Sequence, residues 1–372
     1  MAGPKGSLLV TGGAGYIGSH VCKALSAAGF TPVTYDSLCA GSTDAVRWGP
    51  LIVGDIRNPD ILAAAFEAHR PVAVMNFAGL AAAGESVQHP DIFFGANICG
   101  FVSLLEAMKK SGCDRLVYSS PAAVCGDGLE TPIGEAHRKA HRDPDAFSKL
   151  YSERLIADFG RAFGLQSISL RYFNAGGADP EGEIGETHDP ETHLIPLALR
   201  AAHDPDFTLT VFGDDYDTPD GSAVRDYIHV TDIADAHVRA LNLLLAGDPV
   251  PTGANALDIG TGSGFSVLEI VDRVAIAVGA PVKTGFGQRR AGDPSSLVAD
   301  PRHARKILGW TPYLSDIDTV IRTAATWESR RLGILRGSAP RPSRRLLGVV
   351  EPASVLLDLE SAKAGVSSGL LN

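Results

Sequence analysis

The stretch Leu9-Val-Thr-Gly-Gly-Ala-Gly-Tyr-Ile-Gly-Ser-His20 decides how this chain is read. An apolar run ends in glycines at positions 12, 15 and 18, and an amphipathic helical pattern begins directly behind them. A β-carbon at these turn positions would hold the backbone away from a pyrophosphate. The helix N-terminus behind them offers unpaired N–H groups and partial positive charge to the same anion. A glycine triplet alone is weak evidence. Here it follows a strand-like run, and a second such run, Thr31-Pro-Val-Thr-Tyr-Asp36, ends about twenty residues later in a carboxylate suited to ribose hydroxyls. The pattern is that of a dinucleotide clamp.

Outward from this clamp, short apolar runs alternate with helix-period segments. Strands are expected near Leu8–Thr11, Val33–Asp36, Leu51–Val53, Val72–Phe77, Leu116–Ser119 and Ser167–Leu170. Helices are expected near Tyr16–Ala28, Asp60–His69, Asp91–Ser111 and Ala146–Phe163, where apolar residues recur three and four apart. Such alternation predicts an α/β fold, a doubly wound parallel (Rossmann) sheet with helices on both faces. From about Ala175 the pattern loosens into loops through Thr192 and over Gly213–Ala223. A helix near Thr231–Leu245 and a strand near Asn255–Ile259 return to the sheet. The expected division is a nucleotide-binding domain over 1–174, with 231–259 rejoining it. A smaller interleaved lobe covers 175–230 and 260–330, followed by an extension over 331–372. Arg330, Arg331, Arg336, Arg341, Arg344 and Arg345 punctuate the segment after Trp327. It reads as a flexible extension or, alternatively, a basic docking strip for an acidic partner.

A chain of 372 residues, 45% hydrophobic, has ample material for a core, and its formal charge of −10 argues against nonspecific nucleic-acid binding. Cys22, Cys39, Cys99, Cys113 and Cys125 are odd in number and unclustered, so neither a disulfide framework nor a zinc ribbon is expected. They suit a reducing compartment. The glycine loop begins about ten residues from the N-terminus, leaving no room for a signal peptide. No uninterrupted apolar stretch is read as a membrane span. A soluble cytoplasmic protein without nucleic-acid or membrane partners is expected.

Further motifs carry a resemblance. They are Asn76-Phe-Ala-Gly79, Gly84-Glu-Ser-Val87, Leu170-Arg-Tyr-Phe-Asn174, His188-Asp-Pro-Glu-Thr-His-Leu-Ile-Pro196, Val224-Arg-Asp-Tyr-Ile-His-Val230 and Arg289-Arg-Ala-Gly-Asp293. With the glycine loop, they make roughly residues 7–328 resemble the UDP-glucose (UDP-galactose) 4-epimerase family of the extended short-chain dehydrogenase/reductase superfamily. The resemblance implies tightly held NAD, a nucleotide-sugar substrate (a UDP-hexose), and transient oxidation of the sugar at C4. It also implies a homodimer formed through the helices near 91–111 and 146–163. By resemblance Gly12, Gly15, Tyr16, Ile17 and Gly18 hold the pyrophosphate segment, and Asp36 the adenosine ribose. Asp55 and Ile56 would face the adenine, with Phe77 and Ala78 also on the cofactor. Asn97, Lys149 and Tyr172 would serve the nicotinamide half. Asp36 favours NAD over NADP, whose 2′-phosphate it would repel. Asn174, Leu194, Phe212, Arg225, Arg290 and Asp293 are placed around UDP in the same way. Paired guanidinium donors suit a diphosphate. Leu297 falls where the family varies its pocket gate, and a leucine there should leave room for a 2-acetamido group.

The family handles the C4 hydroxyl proton with a Tyr-x-x-x-Lys pair and a Ser or Thr. Here Pro144-Asp-Ala-Phe-Ser-Lys149 keeps the lysine and puts Asp145 in the tyrosine slot. Tyr118-Ser-Ser-Pro-Ala-Ala-Val-Cys-Gly126 puts Pro121 in the hydroxyl slot and Ala123 two residues on. An aspartate is shorter, and its unperturbed pKa near ~3.9 makes it a poor base unless burial raises it. Asp145 therefore reads as a helix N-cap or as an ion-pair partner of Lys149 one turn on. The remaining reading is a water-mediated base. Cys125, in a slot commonly Tyr, reads as a buried small residue or as a thiol acid. Tyr151 is about 200° around the helix from Lys149 and is expected in the core, away from the nicotinamide. His137 and His141 read as surface residues or replacement bases. His188-Asp-Pro-Glu-Thr-His193 offers metal-capable side chains, but the string belongs to the family's sugar-side loop and no metal is expected. Three activities stay open: C4 epimerisation by a modified or slow redox relay, a noncanonical activated-sugar isomerase or mutase on the same scaffold, and a catalytically retired protein that binds NAD and nucleotide sugar.

Overall fold

Leu8 and Val10 pack into one hydrophobic core and Leu9 into another, because successive side chains of a strand leave by opposite faces. The same division places Ala73 and Met75 against Val74. Strands apolar on both faces must be covered on both. In the computed structural model, which describes residues 5–122, 132–135, 143–247, 256–290 and 293–333, they form a seven-stranded, wholly parallel sheet. From one edge the order is β3 (Leu51–Val53), β2 (Thr31–Asp36), β1 (Ser7–Thr11), β4 (Ala73–Asn76), β5 (Arg115–Pro121), β6 (Gln166–Tyr172) and β11 (Ala256–Ile259). Helices α1 (Tyr16–Ala27) and α8 (Val230–Leu245) pack together on one face. Helices α2 (Pro59–His69), α5 (Phe101–Ser111) and α6 (Pro144–Phe163) supply Leu62, Leu104 and Ile156 to the other.

The chain winds from β1 to one edge, then returns to β4 and winds the other way, so the sheet's topological switch lies between β1 and β4. Ligands of such sheets bind outside the carboxyl ends of the strands at that point. There the Thr11 hydroxyl donates to Asn76 Oδ1 at 2.6 Å, satisfying two buried polar groups and tying the strand ends together.

The expected helix over 91–111 is divided. After α3 (Ala83–Gln88), α4 (Pro90–Phe94) passes through a π-helical turn at Gly95–Gly100 before α5 begins. π turns cluster at functional sites because the extra residue re-aims a side chain, here Asn97. The expectation of no membrane-length apolar stretch also needs correction. The continuous helical run Pro90–Ser111 has the length and composition of a span. Phe93, Phe101, Leu104, Leu105 and Met108 bury it in the core, and α5 packs against α2 and α6.

Beyond the sheet, short strands pair across long sequence distances. β7 (Asn174–Gly176) lies beside β10 (Tyr227–His229), and β8 (Leu209–Phe212) beside β13 (Thr284–Gly287). β9 (Val224–Arg225) runs between β12 (Phe265–Ser266) and β14 (Ser296–Leu297). Helices α7 (Leu194–His203), α9 (Val267–Val278) and α11 (Ile317–Arg331) enclose a third core around Leu199, Ile270, Val274 and Val320, while α10 (Arg302–Leu308) packs on β11. A flexible segment straight after Trp327 is not what is found. α11 continues to Arg331, with Arg330 donating to the Glu181 carbonyl and Arg331 paired to Glu328. Arg336, Arg341, Arg344 and Arg345 lie outside the described residues.

Candidate active site

The turn from β1 into α1 is built on absent side chains. Gly12 has φ +73°, and a β-carbon there would sit 2.6 Å from the backbone of Phe77 and Ala78 on β4's loop. A β-carbon at Gly18 would sit 2.2 Å from the Gly12 carbonyl oxygen. Gly15 is the N-cap of α1, with no side-chain cap and no acid in the first turn, so the helix terminus keeps its free donors and positive end. Asp36, at the carboxyl end of β2, accepts from the N–H groups of Ala14 (2.9 Å) and Leu38 (2.8 Å). That fixes its carboxylate beside the turn, and burial raises its pKa.

The remaining residues expected on the cofactor side are spread over the ends of several strands and the start of α1. Tyr16 donates to the Gly177 carbonyl at 2.5 Å, joining the glycine loop to the second lobe. Ile17 packs on the first core, and Phe77 lies 4.8 Å from the His237 ring. The Ala78 carbonyl accepts from Asn76 Nδ2 at 3.4 Å. Ile56 is buried, whereas Asp55 is half-exposed and ion-paired with Arg57 at 2.5 Å. Tyr172 is buried and shares a short hydroxyl contact with Ser119.

Asp145, Lys149 and Asn97 meet at the N-terminal turn of α6. The π turn directs Asn97 so that its oxygen accepts from Leu80 N–H (2.8 Å). Its Nδ2 donates to the Leu80 carbonyl (3.0 Å) and Ser148 Oγ (2.9 Å), and reaches Asp145 Oδ1 at 3.5 Å. A β-carbon on Gly79 would lie 2.5 Å from Lys149 Nζ, so the buried ammonium rests against the bare backbone after β4. Burial lowers the Lys149 pKa, opposed by the attraction of Asp145. Burial likewise pushes the Asp145 carboxyl up to about 6, opposed by Lys149 and by the Ala82 N–H it accepts from.

Two expectations fail here. Asp145 is not the cap of α6. Asp143 is, accepting from Ala146 N–H at 2.9 Å, with Pro144 in the first helical position. The cap sits two residues earlier than expected, so Asp145 lies inside the first turn, four residues before Lys149. Tyr151 is not core either. It is 44% exposed and stacked on Phe147, on the outer side of α6. Pro121 ends β5 opposite Tyr172 of β6 and offers no hydroxyl. Ala123, Cys125, His137 and His141 lie outside the described residues.

On the sugar side, Arg225 donates to Asp293 Oδ1 at 2.7 Å, and Arg225 is in register with Leu297 across β9 and β14. Arg290 lies 4.1 Å over the Phe212 ring. Asn174 donates its N–H to the Asp226 carbonyl at the start of β7, and Leu194 opens α7. Leu297 packs with Ile133, Leu150 and Phe173. Tyr216 was not singled out from sequence. Its buried hydroxyl lies in the field of Asp293, Arg225, Arg289 and Asp215, and Arg289 covers its ring at 4.2 Å. The run Phe212-Gly-Asp-Asp-Tyr216 was the available signal.

The uncovered turn, the free helix terminus and Asp36 fit a dinucleotide. A model of the NAD dependent epimerase/dehydratase family matches residues 8–251. The chain belongs to that family. NAD is the family's cofactor. UDP-glucose 4-epimerase of Rhizobium meliloti (strain 1021) is 45% identical over 325 residues, 87% of this chain and 98% of its own. The crystal structure of UDP-glucose 4-epimerase from Brucella ovis in complex with NAD matches with a TM-score of 0.83 at 45% identity, covering 86% of this chain and 98% of that one. That of UDP-glucose-4-epimerase from Stenotrophomonas maltophila, with bound NAD and formylated UDP-arabinopyranose, matches with a TM-score of 0.84 at 37% identity, covering 89% and 100%. The α/β fold is therefore the family's, and so is its epimerase class.

Proposed function

We propose that this protein binds NAD and a UDP-hexose and interconverts the C4 epimers of the sugar through a slow relay centred on Asp145 and Lys149. The observation that carries this reading is the placement of Asp145, half-buried, 3.5 Å from Asn97 Nδ2 and in the field of the buried Lys149 ammonium; burial pushes its carboxyl up to about 6. Bound NAD supplies a reversible two-electron acceptor for the C4 hydrogen. Gly12, Gly15 and Gly18 give it bare backbone, Asp36 takes the ribose, and Asn97, Lys149 and Tyr172 line the nicotinamide end. Arg225 and Arg290 hold the diphosphate, with Asp293 and Asn174 on the uridine side.

Asp145 is ionised at neutral pH and accepts the C4 hydroxyl proton through one water, since a carboxylate is shorter than the phenol it stands in for. It returns the proton when the ring is reduced on its other face. A carboxyl at about 6 is a better base than an ordinary aspartate, yet it remains far below an alcohol. Lys149 offsets the charge that grows on the sugar oxygen. Pro121 contributes no proton, so the relay is one member short.

The test is anomeric proton NMR of UDP-galactose and UDP-glucose with the protein and no added cofactor. Slow interconversion supports the reading. A different sugar product points to a mutase. Ligand-induced thermal stabilisation without any product points to a retired binding protein. We further propose a homodimer through the 90–111 run and α6, which carry the exposed apolar side chains Ile92, Tyr151 and Phe163. Light scattering that returns the monomer mass at micromolar concentration would rule it out.

A further inference from the structure

The loop entering α7 gathers a donor set that the relay does not use. Glu186, His188, Glu191 and His193 bring one ligand atom each to within 4.8 Å of one another. Both imidazoles turn Nδ1 to the same oxygen, Glu186 Oε1, with His188 at 3.0 Å and His193 in short contact. The same two nitrogens lie 3.9 and 4.0 Å from Glu191 Oε1. Sequence spacing supplied His188, Glu191 and His193. The fourth member, Glu186, joins them only through the fold.

We propose that these four side chains form a site for one divalent transition cation of the zinc class. Two neutral imidazoles and two carboxylates are a borderline nitrogen and oxygen set, suited to Zn²⁺ and Co²⁺ rather than to Ca²⁺ or Mg²⁺. A tetrahedral centre with ~2.0–2.2 Å bonds places its donors roughly 3.3–3.6 Å apart, so small side-chain rotations convert the observed cluster into a coordination shell. The surroundings orient the ligands. Glu191 Oε1 accepts from the N–H groups of Thr192 (2.7 Å) and His193 (2.8 Å), and the Glu186 carbonyl accepts from Trp327 Nε1 at 2.9 Å. The His188 ring stands edge-on to Tyr16 at 6.3 Å.

Charge argues the same way. In the neighbouring cluster, Asp179, Glu181 and Glu183 all receive Lys23 Nζ at 2.7–2.8 Å, so a cation is already present there. Among the described residues, the ion-pair partners of Glu186 and Glu191 within 4.0 Å are the two imidazoles, while Arg331, paired to Glu328, acts on Glu191 only from farther off. The Glu186 side chain is 6% exposed and that of His193 54%, which gives the site a buried floor and an open way in. Four protein ligands leave no open position, so the cation is structural. It ties the loop before α7 to α11 through Trp327 and to the glycine loop through Tyr16.

The test uses the full chain, dialysed against a chelator and titrated with Co²⁺ and then Zn²⁺. One equivalent of Co²⁺ with the intense visible bands of a tetrahedral centre, displaced by Zn²⁺, is expected, together with a rise in melting temperature. In His188→Gln/His193→Gln both signals are lost while far-UV circular dichroism is unchanged. Glu191→Gln, nearly the same shape, weakens Co²⁺ binding about tenfold or more. No stoichiometric uptake, or uptake that survives the double replacement, overturns the proposal, and neither result bears on the epimerase reading.

Discussion

The glycine turn and the start of α6 are both built to close tolerances, one on backbone and the other on side chains. At the turn every local choice agrees: β-carbon-free positions where backbones touch, an uncapped helix, and a carboxylate held by two N–H groups. At α6 the frame is just as firm: Asn97 is seated by buried hydrogen bonds and Lys149 by close packing against Gly79. The proposed function differs from the ordinary relay only in two side chains, Asp145 and Pro121. On the proposed function, binding and proton transfer are separable, because the first rests on backbone shape and the second on two side chains. Fold alone does not decide the reaction.

The comparison breaks most readily at its rigid side. Gly18→Val drives a β-carbon onto the Gly12 carbonyl oxygen. The backbone cannot yield without opening the turn, and overpacking alone costs ~1–3 kcal/mol. A lowered melting temperature and complete loss of NAD-induced stabilisation are expected. A variant that still responds to NAD would show that the turn does not hold it.

At the altered side, Asp145→Tyr with Pro121→Ser restores both proton-handling groups on a frame that already holds the lysine. A positioned acid or base is worth ~10²–10⁴ in rate, so kcat should rise at least about a hundredfold while NAD affinity stays constant. If kcat does not move, the limitation lies elsewhere and the proposed relay is wrong.

Asp145→Asn separates rate from stability. The carboxyl rises from 3.8 to about 6 on folding, so the folded state holds its proton more tightly than the unfolded chain. Its contribution to stability is therefore complete below pH 3.8 and is lost as pH rises through 6. At pH 8 the neutral asparagine should be more stable than wild type by about 3 kcal/mol, and the two should converge towards pH 4. Turnover should move oppositely, with wild-type kcat rising as pH passes 6 and the variant inactive. Parallel losses of rate and stability would instead make Asp145 a structural ion-pair partner.

What the sequence revealed divides along the same line. Strands β1 to β6, helices α1 and α2 and the glycine turn were legible because period, composition and turn chemistry agree there. Asp143-Pro144 is a legible sign of the α6 cap, since proline suits the first helical position, but Asp145 two residues on is an equally good capping residue by type. α7 is obscured because its first three residues, Leu194–Pro196, close a motif that reads as a ligand loop. The strands β9, β12 and β14 have two residues each and pair over tens of residues, as Val224 does with Ser296. No local pattern records such partners. Tyr216 is hidden for the same reason, since Arg289 and Asp293 come from far along the chain; Glu186 stands only two residues before His188, but its turn towards both imidazoles is set by the loop's fold and by no spacing rule.

The smallest expected effects lie in the second lobe, where the proposed function gives two arginines one task under different conditions. Arg225 is 11% exposed at its side chain, fixed by Asp293 and by the Val224 carbonyl, whereas Arg290 is exposed and rests on Phe212. A preoriented guanidinium in a partly dry site donates charge-assisted hydrogen bonds worth ~1.5–3 kcal/mol, so Arg225→Ala should weaken UDP binding by about 10- to 100-fold. Arg290→Ala removes a solvated group whose hold on the ring is worth ~0.5–1 kcal/mol, and about fivefold is expected. Calorimetric titration with UDP measures both without requiring turnover. The order matters more than either value. If Arg290 proves the stronger, the diphosphate lies nearer the Phe212 face than the Arg225–Asp293 pair, and the rigid, buried member of the lobe orients Asp293 rather than gripping the ligand.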